Sequence, residues 1–140
     1  MTGEWGSEEL GGCIVVGFAA KPEGEAALQR AVLEARLRGG RLVVVSSRRP
    51  DESQEALART DAELAAADAV LAESGVAYDI RRLEGETGAA DDLVDIAESL
   101  KAELIVIGLK RRSPAGKLIL GTQAQKILLD APCPVLAVKA

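Results

Sequence analysis

The residues best suited to chemistry are gathered in one stretch, Gly108 to Thr122. Lys110, Arg111, Arg112 and Lys117 stand there with no acid among them, in a chain whose net charge is −5. The stretch ends in Gly121-Thr122, and Gln123 follows at the start of a helical pattern. The first amides of a helix lack intrahelical partners and favour negative charge. Gly121 lets an anion approach the backbone, and Thr122 adds a hydroxyl. The chemistry these residues offer is the binding of an anion, phosphate foremost. A structural reading stands beside it: Thr122 caps its helix, and the cations belong to a solvated loop.

Other groups carry less. Cys13 and Cys133 lack zinc-type spacing, and the chain has no histidine to activate a thiol. Cys133 precedes the last strand, at the end of the sheet away from the expected site, so a structural thiol is the reading. Strand spacing sets the two cysteines about 10 Å apart if the fourth strand lies between the first and fifth, too far for a disulfide. Asp91 and Asp95 share a helix face, with Asp92 beside them. They complement a helix N-terminus better than they hold a metal. Ser113, before Pro114, reads equally as a turn serine or a phosphorylation site. Gly116-Lys117 is followed by Leu118, which rules out a Walker loop, and no dinucleotide fingerprint follows the first strand.

Strands and helices must position that stretch, and they alternate strictly. Residues 1–11 read as a flexible arm. Cys13 to Phe18 reads as a buried strand. Pro22 opens a helix with Leu28, Ala31, Val32 and Ala35 on one stripe, stopped by Gly39-Gly40. Leu42 to Val45 is the second strand. Pro50-Asp51 opens a long helix, with Asp51 and Gln54 as a capping box and Leu57, Leu64 and Leu71 on one face, ended by Gly75. Val76 to Leu83 alternates as an edge strand does. Thr87 is expected to cap the third helix, whose stripe is Leu93, Ile96, Ala97 and Leu100. Leu104 to Ile107 is the most apolar strand and therefore an interior one. A long loop runs from Gly108, then a short helix from Thr122 with Ala124, Ile127 and Leu128 inward. Pro134 to Val138 is the last strand.

Such alternation requires a parallel sheet covered on both faces, joined by right-handed crossovers. Ligands of such sheets sit beyond the carboxyl ends of the strands, where strand order reverses. That brings the loop after the first strand (Gly17, Phe18, Ala19) to the loop after the fourth. The latter is about twice the usual 2–6 residues.

At 140 residues and 48% hydrophobic, the chain suits a single domain, residues 12–140, with no linker or repeat. The acidic balance disfavours nucleic acid and anionic membranes, and Trp5, Phe18 and Tyr78 are too few aromatics for base stacking. No basic region followed by an apolar run begins the chain, and no apolar stretch is long enough to span a bilayer. A cytoplasmic protein is expected.

Gly108 and Gly121-Thr122 keep the separation of the outer parts of a signature: Gly, two residues, Gly, nine residues, Gly, then Ser or Thr. With Arg111 to Leu118 and the ending Ala131 to Val138, they make the chain resemble the universal stress protein family from Cys13 to Val138. The resemblance implies a three-layer, Rossmann-like α/β domain with a five-stranded parallel sheet of order 3-2-1-4-5. It implies an adenine-nucleotide site for ATP or AMP, used for binding or sensing in a stress response rather than catalysis, with slow ATP hydrolysis as a further possibility. Gly17, Phe18, Ala19, Gly108, Lys110, Arg111, Gly121, Thr122 and Gln123 would contact the ligand. Val44 would flank the adenine and Ile107 would line the floor. The resemblance also implies a homodimer paired through Val135 to Val138, an apolar edge that needs a cover. Two positions depart from ATP-binding members: Ala19 stands where an Asp is usual, and Arg111 replaces the middle Gly. They motivate the alternative of a nucleotide-free member acting through protein–protein contacts.

Overall fold

The computed structural model describes residues 12–19, 22–84, 88–110 and 120–140. The expected arm at 1–11, the Thr87 cap, Arg111, Arg112, Ser113 and Lys117 lie outside the described residues. The elements alternate as β1 (Cys13–Gly17), α1 (Pro22–Arg38), β2 (Arg41–Arg48), α2 (Gln54–Ser74), β3 (Tyr78–Glu84), α3 (Ala89–Ser99), β4 (Leu104–Leu109), α4 (Thr122–Asp130) and β5 (Val135–Lys139). They form one five-stranded sheet of order β3-β2-β1-β4-β5, every pair parallel. Val16 lies opposite Val44 on one side and Val106 on the other, so β1 is the middle strand.

The apolar runs bury both faces of the inner strands, as a doubly covered parallel sheet requires. Ile14, Val16, Leu42, Val44 and Val106 face α1 and α2. Their neighbours Val15, Val43, Val45, Ile105 and Ile107 face α3 and α4. Period-two alternation thus sorts one strand's residues into two cores. Leu64 and Leu71 of α2 are fully buried in the first core, each worth roughly 2 kcal/mol of removed apolar surface.

Several local expectations change. The α2 helix starts at Gln54, not after Pro50, and its cap is Ser53, whose hydroxyl accepts from the Ala56 amide at 3.1 Å. Asp51 lies too far upstream to reach those amides and sits 3.8 Å from Arg49 instead. At the other end Gly75 adopts φ 79, the left-handed turn that glycine makes without strain. β2 runs on to Arg48, past the apolar run, and β4 runs on to Leu109, so Gly108 lies inside a strand. Leu128 faces outward, 43% exposed, whereas Ala124 and Ile127 pack inward. Both strands expected at the edges, β3 and β5, are there. Tyr78 of β3 donates its hydroxyl to the Asp68 carboxylate, tying the edge strand to α2.

Among the described residues no helix is long and apolar enough to cross a membrane.

Candidate functional site

A cleft of about 410 Å³ opens over the carboxyl ends of β1, β2 and β4, within the size range of ligand pockets. Its position is the switch point, where β2 and β4 leave β1 in opposite directions. Gly17, Phe18, Val45, Ile107 and Gly108 make a mostly apolar floor. The Phe18 amide donates to the Val45 carbonyl at 2.9 Å, which closes that floor between β1 and β2. Each helix contributes its first turns as a wall: Glu23 and Gly24 from α1, Ala56, Arg59 and Thr60 from α2, Ala90 and Leu93 from α3, Gln123 and Ala124 from α4. Ser46, buried, and Ser47 extend β2 into the cleft with hydroxyls.

Gly108 owes its residue type to packing. A β-carbon there would overlap the Glu23 carbonyl oxygen, so its bareness lets α1 start against β4. That contact closes the cleft beside the floor and sets the direction of the α1 wall.

The α3 and α4 walls are tied together. Gly88 holds the cap position of α3 and makes no side-chain cap bond. The Ala90 amide instead donates to the Gln123 side-chain oxygen at 2.8 Å, across 33 residues of sequence. Lys126 pairs with Asp91 at 3.0 Å beside it. Asp91 is thus engaged by a cation, and among the described residues no group of three His, Cys, Asp or Glu is placed to hold a metal.

Of the expected site residues, Gly17, Phe18, Ala19, Ile107, Gly108 and Gln123 line the cleft. Val44 does not. It is fully buried between sheet and helices, because alternation turns its side chain away and presents Val45 instead. Lys110, Gly121 and Thr122 lie outside the lining, and Arg111 lies outside the described residues. Thr122 is the first helical residue and Gly121 is the cap, without a side-chain cap bond, so the hydroxyl cap does not form. The α2 stripe Ala56, Arg59 and Thr60 escaped the sequence reading. Its i, i+3, i+4 spacing was visible, but the leucine stripe beside it dominated the pattern.

Both cysteines are free. Burial pushes the Cys13 thiol above its ordinary value, against the pull of the nearby Arg41 guanidinium, and burial does the same to Cys133. Neither is a thiolate near neutral pH, which fits structural thiols rather than a nucleophile.

The sequence matches the universal stress protein family model over residues 13–139. It is 41% identical over 126 residues to a universal stress protein of Mycolicibacterium smegmatis, covering 90% of this chain and 96% of that one. It is 33% identical over 135 residues to a universal stress protein of Thermus aquaticus, covering 90% and 97%. Among solved structures, a universal stress protein from Archaeoglobus fulgidus superposes with a TM-score of 0.77 at 35% identity, covering 90% of this chain and 97% of that chain. A universal stress protein from the same organism, solved in complex with dAMP, gives 0.72 at 30% identity, covering 90% and 96%.

Proposed function

This chain belongs to the universal stress protein family, and we propose that its cleft takes up an adenine nucleotide, AMP or ATP, binding or sensing it without turnover. The observation that carries this is the cleft itself: an apolar floor at the switch point with helix N-termini around it. A flat base suits the floor formed by Val45, Ile107 and Phe18, and polar groups ring it. The dAMP complex of the Archaeoglobus fulgidus relative, 30% identical to this chain, supports the same choice of ligand. Calorimetric titration with AMP and with ATP tests it. Saturable binding of either is expected, and no binding at millimolar ligand would remove the reading. Phosphate release from ATP above background would overturn the absence of turnover.

The nucleotide-free alternative has one observation in its favour. Ala19 lines the cleft and brings no carboxylate to the first loop, so an acid that could hold a ribose is missing there. The same titration separates the two.

The protein acts, on this proposal, as a homodimer in the cytoplasm. Free cysteines suit a reducing compartment. The β5 strand is a sheet edge with half-buried Val135, Leu136 and Val138, next to Leu128 and Leu129 of α4, which are 43% and 83% exposed. An apolar edge beside exposed leucines is relieved by pairing with a second copy. Light scattering at micromolar concentration is expected to give twice the chain mass; the mass of one chain would refute the dimer.

A further inference from the structure

We propose that the Ser46 hydroxyl selects the base of the ligand, its oxygen accepting a hydrogen bond from the amino group of adenine. This rests on the nucleotide reading above. Three observations carry it. First, Ser46 and Glu34 are the buried polar side chains among the described residues, 2% and 6% exposed. Glu34 is held by Arg30 and Arg38. Ser46 makes no side-chain hydrogen bond among the described residues. A buried hydroxyl without a partner is costly, and folded proteins keep few of them. Ser46 lines the cleft, so a ligand can supply the partner that the chain does not.

Second, the sheet delivers Ser46 to the cleft at a fixed place. The pairing of β1 with β2 ends at Gly17 opposite Val45. Ser46 is the next residue of β2, past the end of β1, and is still held as strand by its register with Arg82 of β3. Alternation puts its side chain on the face of Val44, which α1 and α2 cover. The hydroxyl therefore stands on the α2 side of the floor, the side walled by Ala56 and Thr60.

Third, the ligand must cross β1 to reach it. β2 and β4 flank β1, so their ends lie about 10 Å apart. The first turn of α4, which follows β4, enters the cleft through Gln123 and Ala124. Its amides favour the charged end of a nucleotide. With the phosphate there, the base lies toward β2. The amino group of adenine projects from the ring far from the ribose and its phosphate, and so arrives on the side where Ser46 waits. A serine oxygen has lone pairs to accept from it.

The test is calorimetry of AMP and of purine riboside 5′-monophosphate, which is AMP without the amino group, on the wild-type chain and on Ser46→Ala. The wild-type chain is expected to bind AMP about five- to tenfold more tightly than the analogue. Ser46→Ala is expected to bring AMP down to the affinity of the analogue and to leave the analogue unchanged, which also certifies that the variant is folded. The melting temperature of the unliganded variant is expected not to fall, because the hydroxyl has no partner within the chain to lose. A wild-type chain that binds both ligands equally, AMP affinity unaltered in Ser46→Ala, or an equal loss of both ligands would each overturn the role given to Ser46 and leave the nucleotide reading standing. A lowered melting temperature would overturn it as well, by showing that the hydroxyl serves the fold. If the wild-type chain binds neither ligand, the nucleotide reading fails first and this assignment falls with it.

Discussion

The two ends of the sheet are built from similar residues to opposite effect. At the amino end charged side chains pair with one another. Glu34 of α1, buried, is held by Arg30 and Arg38, and Arg38 reaches Glu103 at 3.6 Å. Backbone bonds run from Glu103 to Cys13 at 2.8 Å and from Arg41 to Gly12 at 3.2 Å. Gly40 packs so closely on the Gly12 carbonyl that no side chain fits. At the opposite end four helices present their first turns. The carboxyl end, where the strands part over an apolar floor, is thus the end of the sheet shaped to take a ligand.

Substitutions can break this contrast. The largest effect is expected of Gly108→Ala at the open end. A methyl group overlapping the Glu23 carbonyl must shift the start of α1, at a cost of about 3 kcal/mol, and must also reshape the cleft. Urea unfolding should show the lost stability, and nucleotide titration of the folded fraction should show weakened binding. Gly40→Ala is its counterpart at the closed end, where the Gly12 carbonyl blocks the new methyl. It is expected to cost about 2 kcal/mol in the same unfolding experiment and leave nucleotide affinity unchanged. If both variants lose affinity equally, the two ends are not independent. Gln123→Ala removes the side chain that caps α3 and should lower stability by about 1 kcal/mol, read by urea denaturation. Hydrogen exchange should rise first at the amides of the α3 N-terminus.

The smallest effect is confined to acid. Pairing with Arg38, then Arg30, holds the Glu34 carboxyl below its ordinary value of 4.5, against the cost of burial. A carboxylate with a lowered folded-state pKa stabilises the fold above the unfolded value, and that contribution is lost as pH falls through the folded one. The gap in melting temperature between wild type and Glu34→Gln should therefore narrow as pH falls below about 4.5, and a gap constant with pH would contradict the pairing.

The order of elements was legible because each inner strand is one apolar run and each helix stripe has the right period. The edges of those readings were not. β2 looked finished at Val45 because Ser46 and Ser47 are polar, yet they extend the strand and bring hydroxyls into the cleft. Val44 and Val45 are indistinguishable by type, and only the pleat decides which one lines the floor. The capping of α3 by Gln123 spans two elements and leaves no local pattern to read. The resemblance led to Gly108 and to the cleft around it, but it carried no information about α2, whose contribution arises from how its leucines seat it on the sheet.

The bond from Tyr78 to Asp68 has an optical consequence. Tyr78 is the chain's one tyrosine, so its phenolate absorbance reports on a single place, the junction of β3 with α2. The neighbouring carboxylate, aided by burial, makes that phenol harder to ionise than an ordinary tyrosine. An alkaline titration followed by ultraviolet absorption thus becomes an unlabelled gauge of whether α2 is seated on its edge strand, read from outside the cleft and undisturbed by the absorbance changes of a base bound within it.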